Sequence, residues 1–436
     1  MKTKLIYGMK PWAFLLCLIL TGLSVQHTKA FQQDQERFSE YKGEIFDANT
    51  KKPLALASIT LANSNISTVS NADGEFLLKI PASTTEGKIV IAFLGYESKT
   101  IPLNELKEDG NEIPMKVSFT QLSSVNINAP RDAEKLVREV FSRRGEKYTD
   151  NNTVMTAFYR ETIKKRRKNV SLSEAVVNIY KAPYSSTRND AMKLFKARKS
   201  TDYSKLDTVA LKLQGGPFNT LYVDIIKYTD FIFVDGIVDN YVFNFERSTY
   251  INDRLIYVIS FSQLPSIRDP LYQGELFIDF ENKTLTSAIY KLNITDRDLA
   301  SKLFVRKKPA RVDVWPTEVA YRVDYREKDG KWYYSYSNVL MEFKVNWKGK
   351  LFNSVYSMSA EMAITDWKKN TSGESLKNKE KIRRSIILTD EAIGFADPDF
   401  WGEYNIIEPE KSIESAIKKI QRQLRRANRS SGATVP

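Results

Sequence analysis

Histidine and cysteine are all but absent from this chain: its 436 residues contain one of each, His27 and Cys17. Both fall within residues 1–30, which read as a secretory signal peptide removed on export. Lys2, Lys4 and Lys10 form a basic n-region, residues 12–20 form a short apolar run, and Thr28-Lys29-Ala30 offers small residues to a signal peptidase. Cleavage is expected near Ala30/Phe31. The apolar run is too short to cross a bilayer comfortably, which argues against a retained anchor. Leu15 and Leu16, preceding Cys17, are not the small residues that lipid attachment needs. The mature chain is expected to carry neither imidazole nor thiol.

That absence removes whole classes of chemistry. There is no thiol nucleophile, no imidazole base, and no zinc site built from nitrogen and sulfur ligands. Ser-His-Asp and Cys-His hydrolases go with them. Carboxylate pairs, Ser-Lys chemistry and oxygen-only cation sites remain. The acid pairs Asp296/Asp298 and Asp397/Asp399 could in principle serve a glycan hydrolase, yet nothing in their spacing sets two carboxylates across a bond. The expectation is a protein that is not an enzyme, with no catalytic residues, cofactor or metal.

Disulfides are absent too, so the chain must be held by ordinary hydrophobic burial, and the bacterial periplasm suits such a protein. Anionic charge is in deficit: the formal net charge is +13, and +9 without Lys2, Lys4, Lys10 and Lys29. The excess is clustered at Lys164-Lys165-Arg166-Arg167-Lys168, at Arg306-Lys307-Lys308 with Arg311, and in the C-terminal stretch. Export makes nucleic acid an unsuitable target; lipid phosphates, lipopolysaccharide and acidic protein surfaces are the polyanions within reach.

Residues 41–128 break into short β-type runs with turn residues every eight to twelve positions, the rhythm of a β-sandwich. Runs are expected at 41–46, 57–61, 67–70, 75–80, 88–93, 98–103, 113–119 and 122–127. Asp73-Gly74 supplies the positive φ of a tight hairpin. The turn at Asn71 is no calcium loop, because Val69 and Ile80 stand where ligands would be needed. Gly43-x-Ile45-x-Asp47, Pro53-Leu54, Ala57-x-Ile59, Asn71-Ala72-Asp73-Gly74-Glu75-Phe76 and Gly95-Tyr96 resemble the carboxypeptidase regulatory-like domain of Bacteroidetes envelope proteins, a transthyretin-like sandwich. The resemblance implies a seven-stranded non-catalytic module, often at the N-terminus of outer-membrane proteins. No peptidase can accompany it without a histidine-bearing zinc motif.

Ala129-Pro130 marks a break, and Asp132 can cap a helix running to about Arg144, where Gly145 would stop it. Leu136, Val137, Val140 and Phe141 share one face. Alternating strands follow over 153–163, 170–180, 241–250, 255–261, 274–280, 285–292, 319–326, 332–343 and 354–365, with turns at Asn252-Asp253, Glu281-Asn282-Lys283 and Lys328-Asp329-Gly330. Trp332, Tyr334 and Tyr336 are expected on one strand face, as core. A broad curved antiparallel sheet over 131–395 with a helix across it resembles the open barrel of periplasmic lipoprotein carriers, whose concave face could hold an acyl chain or a partner segment. The chain is too short for a 22-stranded transporter barrel. Charges at Arg322, Asp324, Arg326 and Glu327 also disagree with a lipid-facing band.

In residues 396–429 an aromatic stretch, Asp397 through Asn405 with Trp401 and Tyr404, is similar to one that closes many Bacteroidetes proteins carrying the same module. Ile413, Ile417, Ile420 and Leu424 then recur at helical spacing among cations, predicting an amphipathic helix over 410–426. Trp401, Tyr404, Lys418, Lys419, Arg422, Arg425 and Arg426 are the candidate partner-binding residues. The fold expected is mainly β: a sandwich, a curved open sheet with one helix, and a basic C-terminal helix. The role expected is that of a periplasmic, outer-membrane-associated binding or scaffold subunit of an outer-membrane protein complex, with peripheral contact to an anionic membrane surface; a lipid or lipoprotein carrier and a glycan hydrolase are the alternatives.

Overall fold

The computed structural model describes residues 38–118, 132–166, 168–201, 214–233, 239–251, 254–305, 310–394 and 400–410. The leader, the run at 122–127, the turn at Asn252-Asp253 and the C-terminal helix lie outside the described residues.

The N-terminal unit is a sandwich of two sheets. Strands β1 (Phe38–Asp47), β4 (Glu75–Pro81) and β7 (Asn111–Met115) form one, in the order β4-β1-β7; β2 (Ser58–Leu61), β3 (Ser67–Val69), β5 (Lys88–Ala92) and β6 (Lys99–Pro102) form the other, in the order β3-β2-β5-β6. Ile45, Ile59, Phe76, Leu78, Ile89 and Ile113 fill the space between them. Two glycines are dictated by geometry. Gly74 sits at φ 77° in the hairpin turn, where Asn71 Oδ1 accepts from the backbone N–H of Asp73 and of Glu75. At Gly43 a Cβ would come within 2.2 Å of the Asn111 carbonyl oxygen, so the close β1–β7 approach admits no side chain.

The second unit is built on one open sheet. Its strands are β8 (Thr153–Lys165), β9 (Lys168–Lys181), β10 (Ala191–Thr201), β11 (Tyr241–Ile251), β12 (Arg254–Gln263), β13 (Tyr272–Asp279), β14 (Thr284–Leu292), β15 (Val312–Lys328), β16 (Lys331–Trp347), β17 (Ser354–Lys369) and β18 (Ile393–Gly394). They lie in the order β11-β12-β13-β14-β15-β16-β17-β8-β9-β10-β18. All neighbours are antiparallel except the short β10–β18 pair. The hairpins expected at Lys283 and at Asp329-Gly330 are present, with φ of 53°, 53° and 73°. Strand β10 and the first half of β15 are additions to the strands expected.

One face of the sheet is covered by the chain itself. The helix Ala133–Ser142 starts where Asp132 accepts from the Lys135 N–H at 2.9 Å, and it buries Leu136, Val137, Val140 and Phe141. Its end departs from expectation: Gly145 lies inside a second short turn, Arg144–Lys147, and does not stop the helix. Beside it, Leu221, Val223, Ile225, Ile226, Ile232 and Phe233 pack on the same cluster as Met155, Val177, Leu276 and Val323 of the strands. A ligand on this face would have to displace that packing. The face that could have held an acyl chain or a partner segment is filled by the domain's own helix and loops.

The aromatic stripe of β16 does not lie on one face. Tyr325 pairs with Tyr334 and Asp324 with Tyr336, so Ser335 is the extra residue of a β-bulge. Tyr334 points into the covered face and donates to the Thr220 carbonyl at 3.3 Å, whereas Tyr336 packs with Phe158, Val176 and Trp401 on the opposite one.

Candidate functional site

The other face of the sheet receives the sandwich and residues 400–410, which run between the two as a strap. Trp401 meets Phe158 edge to face at 5.4 Å and lies 4.8 Å under the Arg198 guanidinium. Ile406 and Ile407 pack in the same cluster as Val69 and Leu77 of the sandwich. Asn405 imitates a strand neighbour: its Oδ1 accepts from the Lys79 N–H at 2.7 Å and its Nδ2 donates to the Lys79 carbonyl at 2.9 Å. Thr68 Oγ1 donates to the Ile406 carbonyl and Ser67 Oγ to the Ile364 carbonyl, both at 2.9 Å. Lys328 Nζ reaches Asn65 Oδ1 at 2.6 Å.

Beneath the strap lies a buried ion network. Arg160 is 2.7 Å from Glu174 and 3.3 Å from Glu361, and it donates to the Ile407 carbonyl at 2.7 Å; Arg198 holds the second oxygen of Glu174 at 2.8 Å. Burial alone would raise the Glu174 carboxyl, but Arg160 and Arg198 outweigh it and hold it below the usual range. Glu361, with burial opposed by one guanidinium, stays raised. On the covered face Lys181 is fully buried between Asp190 at 2.8 Å and Asp224 at 2.7 Å. Tyr184 and Tyr325 donate to Asp224, both at 2.9 Å, and Tyr228 to Asp190 at 2.8 Å. The groups around Lys181 satisfy one another, whereas Arg160 and Glu361 also line a pocket of about 280 Å³ with Thr162, Tyr336 and Glu410.

A cleft of about 370 Å³ opens between the sandwich and β12, β14, β15 and β16. Leu56, Val69, Val90, Ala92, Leu94 and Ile256 make an apolar wall. Arginines make the other. Alternation along β15 turns Tyr321, Val323 and Tyr325 into the core and presents Arg322, Asp324 and Arg326 on the cleft side. Arg322 is held by Asp324 at 2.9 Å, whose other oxygen accepts from Ser287 Oγ at 2.5 Å. Arg254 pairs with Glu327, lies 3.6 Å from Asp279, and stands 5.8 Å from the Trp332 ring.

Arg326 differs from these. Its guanidinium donates to Thr60 Oγ1 at 2.8 Å and to the Asn65 carbonyl at 3.0 Å, and it lies 4.4 Å from the Trp367 ring. Among the described residues no carboxylate comes within ion-pair distance of it. Burial pulls its pKa down to about 9, a pull that the more distant Asp366 opposes only in part. Arg326 thus brings to the cleft wall a guanidinium whose partners among the described residues are neutral. Asp324 and Glu327 are each occupied by an arginine, so neither is an unpaired carboxylate base for proton transfer.

The residues proposed from sequence fare differently. Trp401 is buried and packs within the molecule against Phe158 and Ile407. Tyr404 is half-buried with its ring 5.1 Å from that of Phe195. Lys418, Lys419, Arg422, Arg425 and Arg426 lie outside the described residues. Asp296 caps the helix Arg297–Phe304 by accepting from Asp298 N and Leu299 N, so the pair Asp296/Asp298 is a helix start and spans no cleft. Asp397 and Asp399 are outside the described residues. Sequence reading missed Arg254, Arg322, Arg326 and Trp332 as one wall; its one usable signal was alternating charge on a strand otherwise buried.

Residues 41–127 match the CarboxypepD_reg-like domain family. The sandwich is a CarboxypepD_reg-like domain. No curated protein matches the chain. Among solved structures, a DUF1329 family protein from Desulfovibrio piger aligns at 10% identity and a TM-score of 0.23, covering 56% of this chain and 95% of that one. A lipovitellin structure described for its lipid–protein interactions aligns at 7% identity and a TM-score of 0.26, covering 53% of this chain and 27% of that one. At such scores neither likeness bears on function. The CarboxypepD_reg-like domain supplies Thr60, Asn65, Val90 and Ala92 to the cleft and its rim, so domain and sheet complete the site together.

Proposed function

We propose that the protein is an exported, non-enzymatic subunit of an outer-membrane protein complex in a Bacteroidetes-type bacterium, residing in the periplasm and gripping an acidic partner segment in the cleft between its CarboxypepD_reg-like domain and its sheet. The observation that carries this reading is Arg326, a cation on the cleft wall with no carboxylate within ion-pair distance among the described residues. The cleft's apolar wall suits the side chains that flank such an acid, and a cavity of about 370 Å³ takes a few residues at most. The leader, the CarboxypepD_reg-like domain and the want of imidazole and thiol beyond His27 favour export and binding over bond-breaking.

A photo-crosslinking residue at Ala92, within the cleft, tests it in the native host. After irradiation and gentle detergent extraction of envelopes, the expected product is a covalent adduct with an outer-membrane protein, reduced at least about tenfold by Arg326→Gln, as removal of one buried charge-assisted contact allows. Recovery of the protein without an adduct, or an adduct indifferent to Arg326→Gln, overturns the reading.

A further inference from the structure

Strands β15, β16 and β17 meet the sandwich near Arg326, Lys328 and Trp367, and about 45 Å of strand away their opposite ends carry the most exposed hydrophobic side chains among the described residues. Leu351 is 89% and Phe352 75% exposed, side by side at the tip of the β16–β17 hairpin. Among the described residues nothing packs over them. Leu303, 57% exposed, stands on the neighbouring helix Arg297–Phe304, whose Phe304 ring packs 5.9 Å from Phe343.

The surroundings of this tip are cationic. Lys348 and Lys350 precede the two apolar residues, the Lys348 N–H donates to the Arg311 carbonyl, and the Arg166 N–H of the β8–β9 hairpin donates to the Val355 carbonyl just beyond them. Sequences 164–169, 302–305 and 344–353 contain no acid, and among the adjoining strand ends the acid is Asp313 of β15, paired opposite Asn346. Glu410 reaches the edge of the group, 3.5 Å from Lys164, and the described chain ends there. The segment that continues from Glu410 is itself basic in sequence.

Two exposed apolar residues projecting from a ring of cations match an anionic bilayer: the apolar pair enters the acyl boundary while ammonium and guanidinium groups remain at the phosphates. We propose that this end of the sheet is a peripheral membrane-docking surface that inserts Leu351 and Phe352 into an anionic phospholipid leaflet. The inference goes beyond the binding cleft and stands without it, since the two surfaces share no residue.

The test uses the full chain and vesicles of phosphatidylglycerol mixed in equal parts with phosphatidylcholine, against phosphatidylcholine alone. Wild type is expected to sediment with the anionic vesicles and to be released by salt. Leu351→Ser with Phe352→Ser is expected to weaken binding at least about tenfold, and Lys348→Glu with Lys350→Glu by a similar factor. Because Cys17, the chain's only cysteine, falls in the expected leader, Phe352→Cys in the processed chain takes one environment-sensitive dye. Its emission should shift to the blue with anionic vesicles and not in buffer. Serine variants that bind like wild type assign the membrane contact to another segment, and a dye already blue-shifted in buffer means the tip is covered by protein; either result overturns the proposal.

Discussion

Glu161 shows how a single buried group sets a pH dependence. It is 4% exposed, accepts from Tyr159 Oη at 2.8 Å, and has no cation within ion-pair distance among the described residues. Burial pushes its carboxyl up to about 7, the tyrosine opposing only in part. An acid whose folded pKa lies above its ordinary value of 4.5 favours the folded state at low pH. That advantage is lost as pH rises from about 4.5 to about 7, at a cost on the order of 3 kcal/mol. Glu161→Gln keeps an acceptor for Tyr159 and cannot ionise. Urea unfolding at pH 8 should show the variant about 2 kcal/mol more stable than wild type, and the difference should vanish near pH 4.5. Lys181 makes the opposite case. Burial would lower it, but Asp190 and Asp224 outweigh that and hold it above its ordinary value. Lys181→Met leaves two carboxylates buried together and should cost about 3–5 kcal/mol, while adding Asp190→Asn and Asp224→Asn should recover most of the loss. Chemical denaturation of the single and triple variants measures both.

At the scale of elements, the strap over 400–410 is the piece whose role is least local. Asn405 replaces a missing strand neighbour for Lys79, and Asn405→Ala leaves a buried N–H and C=O without partners, which should cost about 2–3 kcal/mol in thermal or urea unfolding. Asn405→Gln should not restore it, because the longer side chain cannot meet both backbone groups at once. The hairpins were legible because their signal is local: Asp73-Gly74 and Asp329-Gly330 carry their own conformational preference. Strand β10 was not, because Lys193, Lys196, Arg198 and Lys199 interrupt its alternation, and the groups that pair with them, Glu380, the Phe400 carbonyl, Glu174 and the Thr389 carbonyl, come from distant segments. The first half of β15 was hidden by Pro316, which sits at a register shift where a missing N–H is tolerated. Ser335 concealed the stripe of β16, since a bulge that moves Tyr336 to the other face leaves no mark in the residue types.

The molecule as a whole is closed by contacts between its far ends. Sandwich and sheet meet through Asn65, Ser67, Thr68 and Lys79 on one side and Arg326, Lys328, Ile364, Asn405 and Ile406 on the other, separations of some 260 to 340 residues along the chain. The completed cleft was illegible for the same reason: Arg254, Arg322 and Arg326 share the sheet, but Thr60 joins them only when the CarboxypepD_reg-like domain docks. If the strap is what couples the two units, a chain ending after Gly394 should still fold both cores, because neither of the two large clusters contains a residue beyond Ala392. Coupling would be lost instead. Val69, Leu77, Phe158, Val176 and Tyr336 would be stripped of Trp401, Ile406 and Ile407, and Arg160 of the Ile407 carbonyl. Calorimetry should then resolve two transitions where the full chain shows one, and the truncated protein should bind a hydrophobic dye that the intact one does not. The cleft depends on that docking, so the Ala92 photo-crosslink should fall with the truncation even though every residue lining the cleft is still present. One transition in both chains would instead place the coupling in the direct contacts of Arg326 and Lys328 with the sandwich, where Thr60→Ala with Asn65→Ala, which removes the side-chain acceptors of both cations, should separate the units.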